Sequence, residues 1–92
     1  MLKALFYAPG EPGREVEVEN AEQAAVAMIG PEAESRVVGR ERRFTVFSDP
    51  GAEKDGNMTI EDEEFDGPIL VFALGPDEQP AGLTQEDLDR IG

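Results

Sequence analysis

Two short segments of this chain are apolar on both sides of an extended backbone, and they constrain the fold more than any other feature. Along residues 2–8, Ala4 and Phe6 would point to one side of a strand and Leu5 to the other. Residues 69–74 contain no polar side chain at all. Because a strand with two apolar faces must be covered on both, these segments predict interior strands of a sheet.

The stretch that follows the first segment predicts its hairpin partner. Residues 9–13 are rich in Pro and Gly, which favour a turn. Residues 15–19 then alternate strictly, with Val16 and Val18 on one side and glutamates on the other. This alternation is typical of a strand with one buried face, and it follows the first strand after a short turn.

Capping signals predict two helices. Asn20 is a suitable N-cap with Gln23 three residues later, and the apolar residues 24–29 run up to a Gly-Pro pair that ends the helix. Thr84, with Asp87 at the capping-box position, predicts a short C-terminal helix. Both helices carry apolar residues that can pack on a sheet.

The remaining apolar patterns complete the predicted fold. Short strands are expected at residues 37–38, 42–48 and 58–60, with a turn at residues 39–41. The whole chain, residues 1–92, is then one α+β domain, with a mixed or antiparallel sheet, one main helix packed on it and a short C-terminal helix. The expected buried core consists of Leu5, Phe6, Val16, Val18, Phe44, Val46, Ile69, Val71, Phe72 and Leu74.

The charge balance narrows the class of partner. The chain carries 21 Asp and Glu against 8 Lys and Arg, a formal net charge of −13. Nucleic acids and anionic lipid surfaces attract cations, so we expect no direct binding of nucleic acid and no membrane contact. Basic protein surfaces are the partners that this charge attracts. In the alternative interpretation, the acidity only keeps a small protein in solution.

The sequence lacks the residue types on which most catalytic and metal sites depend. It has no His and no Cys, and no residue lies in a known nucleophile or phosphate-binding motif. The oxygen-rich residues 49–64 also fail the spacing of a calcium loop, because Gly56 as its sixth position would put Gly51 at the first. We therefore expect no enzymatic activity, no catalytic residue, no cofactor and no metal site.

Two groups of acidic residues are the candidate partner-binding surfaces. One follows a side of the second predicted strand: Glu15, Glu17 and Glu19. The other is a run in the second half of the chain: Glu61, Asp62, Glu63, Glu64 and Asp66. A domain of this length is about 30 Å wide, and duplex DNA of that length carries about 18 charges. The chain can thus imitate a nucleic acid, although each group also fits an ordinary solvated face.

Half of the cations lie close together as a candidate anion-binding group: Arg36, Arg40, Arg42 and Arg43. Guanidinium groups suit forked contacts with carboxylates and phosphates. Three interpretations are open. The arginines form ion pairs with glutamates inside the fold, they bind an anion or phosphate, or they form a seam that meets an acidic face of a second copy.

Both ends of the chain resemble a known family. Residues 1–6 (MLKALF) and 15–20 (EVEVEN) form the opening strands before a helix, and residues 67–72 (GPILVF) and 83–88 (LTQEDL) form a strand before a capped helix. Together they resemble a family of small acidic proteins of unknown function, found in bacteria, bacteriophages and other mobile elements. Residues 31–66 depart from the family. The resemblance implies a phage-like or mobile-element setting and no particular site residue.

The leading hypothesis is a non-enzymatic acidic protein, encoded by a phage or mobile element, that blocks a basic surface of a host protein. That host protein belongs to a defence or nucleic-acid-binding class. The alternatives are an oligomeric module that sequesters a small ligand or nucleotide with its arginines, and a scaffold domain. We expect a cytoplasmic location, in the host if phage-encoded, because Cys is absent and no signal-peptide or membrane-length apolar run is visible.

Overall fold

A computed structural model of the chain describes residues 1–39 and 41–91. Its fold is α+β, as predicted. The elements, in chain order, are β1 (Leu2–Tyr7), β2 (Arg14–Val18), α1 (Ala21–Met28), β3 (Glu34–Val38), β4 (Phe44–Ser48), β5 (Met58–Ile60), β6 (Glu63–Phe65), β7 (Ile69–Leu74), β8 (Pro80–Ala81) and α2 (Gln85–Ile91).

The main sheet has six strands in the order β2-β1-β7-β4-β3, with the short β8 added to β7. Every strand pair described is antiparallel. The two segments that are apolar on both faces, β1 and β7, are interior strands, as predicted. The amphipathic strand β2 pairs with β1 through the predicted hairpin and forms one edge of the sheet.

Successive residues of β7 divide the core into two layers. Ile69 and Val71 face one side of the sheet, whereas Leu70 and Phe72 face the other, and all four are fully buried. The sheet is therefore covered on both faces, which is the only way to remove so apolar a strand from water.

Helix α1 covers the Leu70 side. The Asn20 side chain accepts a hydrogen bond from the Gln23 main-chain N–H at 3.0 Å, which confirms the predicted N-cap. Ala21 and Ala25 are buried against the sheet, and their small side chains let the helix approach closely. Beneath them, the rings of Phe47 and Phe72 pack edge to face with centroids 5.8 Å apart.

The β5–β6 hairpin and α2 cover the other face. The hairpin contributes two buried side chains, Ile60 and Phe65, to this layer. At the start of α2, Thr84 and Asp87 bond each other's main-chain N–H, at 2.9 and 3.2 Å, so the predicted capping box is present. Two apolar residues of this helix, Leu88 and Ile91, pack on the same layer.

Some predictions of core and boundary were wrong. Phe6, Val16, Val18 and Leu74 are only half-buried. The two valines lie on an edge strand, which has a neighbour on one side only, and Leu74 ends its strand. The acidic residues 63–65 form the unpredicted β6, and β3 begins earlier than residue 37. One residue of the predicted turn at 39–41, Arg40, lies outside the described residues.

Candidate functional site

The free edge of β2 brings together two of the predicted acidic residues. Glu15 lies opposite Leu5 and Glu17 opposite Lys3 in the β1–β2 register, so both side chains project to the face covered by α2. Both glutamates are exposed. Glu19 follows the end of the strand and lines a separate hollow beside the start of α1. The strand thus carries a pair of glutamates rather than a row of three.

The main-chain groups of the same two glutamates point away from the sheet. The Lys3 carbonyl accepts a hydrogen bond from the Leu83 N–H at 2.8 Å, on the side of β1 remote from β2. Because main-chain groups alternate in direction along a strand, the even residues of β1, such as Ala4, bond with β2. Their partners in β2 are also even-numbered. The N–H and C=O groups of Glu15 and Glu17 are therefore directed to the free edge.

Charge around this pair is weakly compensated. The Lys3 Nζ atom lies 3.7 Å from the Glu15 Oε1 atom, but both side chains are about half exposed, at 42% and 55%, so this ion pair contributes little. No cation among residues 1–39 and 41–91 lies within ion-pair distance of Glu17. The cation of β2 itself, Arg14, lies over the Phe6 ring on the opposite face, with 5.4 Å between its guanidinium carbon and the ring centre.

A groove of about 390 Å³ adjoins the edge beside Glu15. Its apolar walls come from β1, β5 and α2, and Gln85 and Glu15 are the polar residues that line it; the apolar residues are Leu5, Tyr7, Met58 and Leu88. Burial raises the pKa of the Tyr7 phenol. The arrangement suits a long side chain with an apolar stem and a positive end, which is the chemistry of Lys and Arg.

The second predicted acidic group does not form one surface. Glu61 and Asp62 are the two central residues of the β5–β6 turn, with φ of 49° and 69°. Positive φ at both positions is typical of a type I′ turn, which matches the twist of a two-residue hairpin. The Glu61 Oε1 atom accepts a hydrogen bond from the Arg90 Nε at 2.7 Å. This hydrogen bond raises the pKa of Arg90.

The other three acidic residues of this group also have different surroundings. Glu63 lies opposite the buried Ile60 and faces the sheet, and its Oε2 atom is buried with no hydrogen-bond partner in the described part of the chain. Glu64 lies opposite Thr59 and is exposed. Asp66 is half-buried and accepts a hydrogen bond from the Gly56 N–H at 2.8 Å. Only Asp62 and Glu64 are thus exposed.

The described arginines of the predicted anion-binding group have separate partners inside the fold. The Arg36 guanidinium lies over the Phe65 ring, 5.1 Å from its centre. Arg42 pairs with Glu78 at 2.6 Å. Arg43 lies 3.6–3.9 Å from three carboxylates, those of Glu41, Glu86 and Asp87. Arg40 lies outside the described residues, so the group as a whole is not placed.

No group of three or more acidic residues in the described ranges is arranged to hold a metal ion. Within those ranges, neither helix is long and apolar enough to cross a membrane. Comparisons with protein-family models, curated proteins and solved structures find no match to this chain. The resemblance to small acidic proteins of phages and other mobile elements therefore stays a prediction.

Sequence reasoning missed the groove and the direction of the β2 main chain. The groove joins residues from β1, the loop before β2, β2 itself, β5 and α2, and these elements are spread along the sequence. One feature of the sequence indicated an edge position for β2, although weakly: its glutamates alternate with only two apolar residues. The neighbours of a strand, however, depend on long-range pairing that local alternation does not specify.

Proposed function

We propose that this protein binds a basic surface of another protein and does so without catalysis. The observation that carries the proposal is the pair Glu15 and Glu17, which is exposed on a free sheet edge. The surrounding molecule adds to the attraction, because its formal net charge is −13. Fields of this kind raise the association rate with oppositely charged partners.

The dimensions of the molecule support a partner that otherwise binds nucleic acid. The longest extent of the described residues is 32 Å. Duplex DNA of that length carries about 19 phosphate charges, at one per ~1.7 Å, which is of the same order as the charge of the protein. We propose that the protein occupies such a basic surface on a host protein and blocks it. The family resemblance adds a phage or mobile-element origin, and we propose a host defence or nucleic-acid-binding protein as the target.

The arginine-based alternative has less support. Arg36, Arg42 and Arg43 each have an aromatic or carboxylate partner in the fold, so an incoming anion would compete with these contacts. The absence of His and Cys argues for binding rather than turnover. Robust hydrolysis of a nucleotide, ester, peptide or glycoside by the pure protein, lost on changing one carboxylate, would contradict the non-catalytic part of the proposal.

The test uses charge reversal at the edge. Proteins captured from a bacterial lysate at about 0.05 M salt and released at about 0.5 M are purified, and their association rates are measured across that range. We expect the rate to fall steeply with salt. The double variant Glu15→Lys/Glu17→Lys should slow association by roughly tenfold or more.

A matched control separates local charge from total charge. Glu32→Lys/Glu53→Lys makes the same change in net charge, at two exposed residues with no ion pair or side-chain hydrogen bond in the described ranges. This control should slow association much less than the edge variant. Equal loss in both variants, or a rate that does not respond to salt, would reject the acidic edge as the binding surface.

A further inference from the structure

We propose that the β2 edge recognises its partner by strand addition, and that the partner segment is an extended strand in which basic and apolar residues alternate. This inference rests on the proposed function and specifies its binding mode. It begins with the main chain, because the N–H and C=O groups of Glu15 and Glu17 point out of the sheet at an exposed edge. Such groups are a ready template for a further strand.

The two sides of β2 decide which side chains the added strand carries. A residue that pairs directly with Glu15 or Glu17 places its side chain on the same face as these glutamates, so a Lys or Arg there meets a carboxylate. Neighbouring partner residues fall on the other face, beside the half-buried Val16 and Val18. An apolar residue suits that position. The strand therefore favours a Lys-Val-Lys type of pattern over a uniformly basic one.

The groove extends this recognition beyond the edge. It lies on the same face as the two glutamates, and Glu15 forms part of its lining. A Lys opposite Glu15 can lay its methylene stem along Leu5 and Leu88 while its ammonium stays near the carboxylate. A shorter side chain could not use both features. We expect Lys or Arg to be preferred at this partner position.

Charge also argues against a second copy as the occupant. Pairing of β2 with β2 of another molecule would bring glutamates of the same face against each other, and like charges in cross-strand positions are destabilising. The orientation of the added strand follows from the rest of the sheet, in which every described pair is antiparallel. Antiparallel pairing is also slightly more stable per residue.

The first experiment separates main-chain pairing from simple charge attraction. The probe is a synthetic peptide of sequence KVKVKVK, and its affinity is compared with those of two N-methylated forms. In antiparallel addition the Lys residues exchange hydrogen bonds with Glu15 and Glu17, whereas the Val N–H groups point to solvent. Methylation of the inner Lys nitrogens should weaken binding by roughly tenfold or more, since each net hydrogen bond contributes about 0.5–1.5 kcal/mol. Methylation of the Val nitrogens is the matched control and should change little.

The second experiment tests the glutamates. Glu15→Gln/Glu17→Gln should weaken peptide binding by roughly tenfold, because two cross-strand charge pairs are lost. Glu32→Gln/Glu53→Gln makes the same change in net charge and should have a much smaller effect. Gln85→Glu, at the groove rim, should strengthen binding of the same peptide and Gln85→Lys should weaken it.

The outcomes distinguish this inference from the proposed function. Equal affinity of all three peptides, with the glutamate dependence retained, overturns strand addition and leaves acidic-surface binding in place. Peptide binding that ignores the glutamates and salt counts against both. A dimer of the free protein that must dissociate before the peptide binds would assign the edge to a second copy and overturn the proposal.

Discussion

Glu17 in β2 and Glu63 in β6 are both glutamates in short antiparallel strands, but their carboxylates lie in different surroundings. Glu17 is exposed at a sheet edge, with no cation at ion-pair distance among the described residues. Glu63 faces the core layer beneath the β5–β6 hairpin and has a buried oxygen without a hydrogen-bond partner in the same ranges. The side chain is identical, and the position of its strand decides the difference.

The two carboxylates have different surroundings because their strands pack against different parts of the molecule. The β5–β6 hairpin lies against the main sheet, so the register that buries Ile60 also turns Glu63 inward. In β2 the valines pack beneath α1, and the glutamates take the opposite face at the margin of the sheet. The inward-facing glutamate of the hairpin is therefore part of the packing, whereas the glutamates of the edge strand remain exposed.

The largest expected effect tests whether the hairpin is part of the core and β2 is peripheral. Phe65→Ala should lower the free energy of unfolding by about 3–5 kcal/mol, because it removes a buried ring and leaves a cavity. Phe65 is 3% exposed. Val16→Ala, at a half-buried position of the edge strand β2, should cost about 1 kcal/mol. Urea titrations of both variants measure the two values. Similar losses in the free energy of unfolding would mean that the hairpin contributes no more to stability than the edge strand does.

The interior strands, the first hairpin and the helix caps were accessible from sequence because they depend on local patterns. The double-faced apolar segments 2–8 and 69–74 can only be stable inside a sheet, and both form interior strands. Asn20 and Thr84 were found as caps because a cap depends on residues at most three positions apart. For these features, the local residue preferences and the observed packing favour the same structure.

The candidate site was less accessible because it depends on which strands become edges. The sequence identified Glu15 and Glu17 as a shared face but not the outward direction of their main chain, which follows from pairing with β1. It grouped Glu61 with Glu63 by proximity, although Glu61 belongs to the two-residue turn and Glu63 to the strand that follows it. Strand propensity was misleading at 63–65, where the one apolar residue, Phe65, holds an acidic segment against the sheet.

The second prediction concerns the buried oxygen of Glu63. Glu63→Met should raise the free energy of unfolding by about 1–2 kcal/mol, because a carboxylate oxygen without a partner is replaced by an apolar side chain of similar length. Glu64→Met on the outward side of the same strand is the control, and it should change stability by less than about 0.5 kcal/mol. If Glu63→Met lowers the stability instead, the Glu63 carboxylate has a hydrogen-bond partner in solution.

The smallest expected effect compares the hairpin turn with the β2 strand by introducing glycine into each. Asp62 has a φ of 69°, in the left-handed region that glycine enters freely. Asp62→Gly should therefore stabilise the protein by about 0.5 kcal/mol, since the second centre of a type I′ turn favours glycine. In β2, Glu17→Gly should instead destabilise it by roughly 0.5–1 kcal/mol, because glycine weakens an extended strand. Thermal melts under identical conditions compare the two variants. If the melting temperatures of both variants shift in the same direction, the acidic turn is not held in the positive-φ conformation. The hairpin turn and the edge strand would then not differ in backbone conformation in this way.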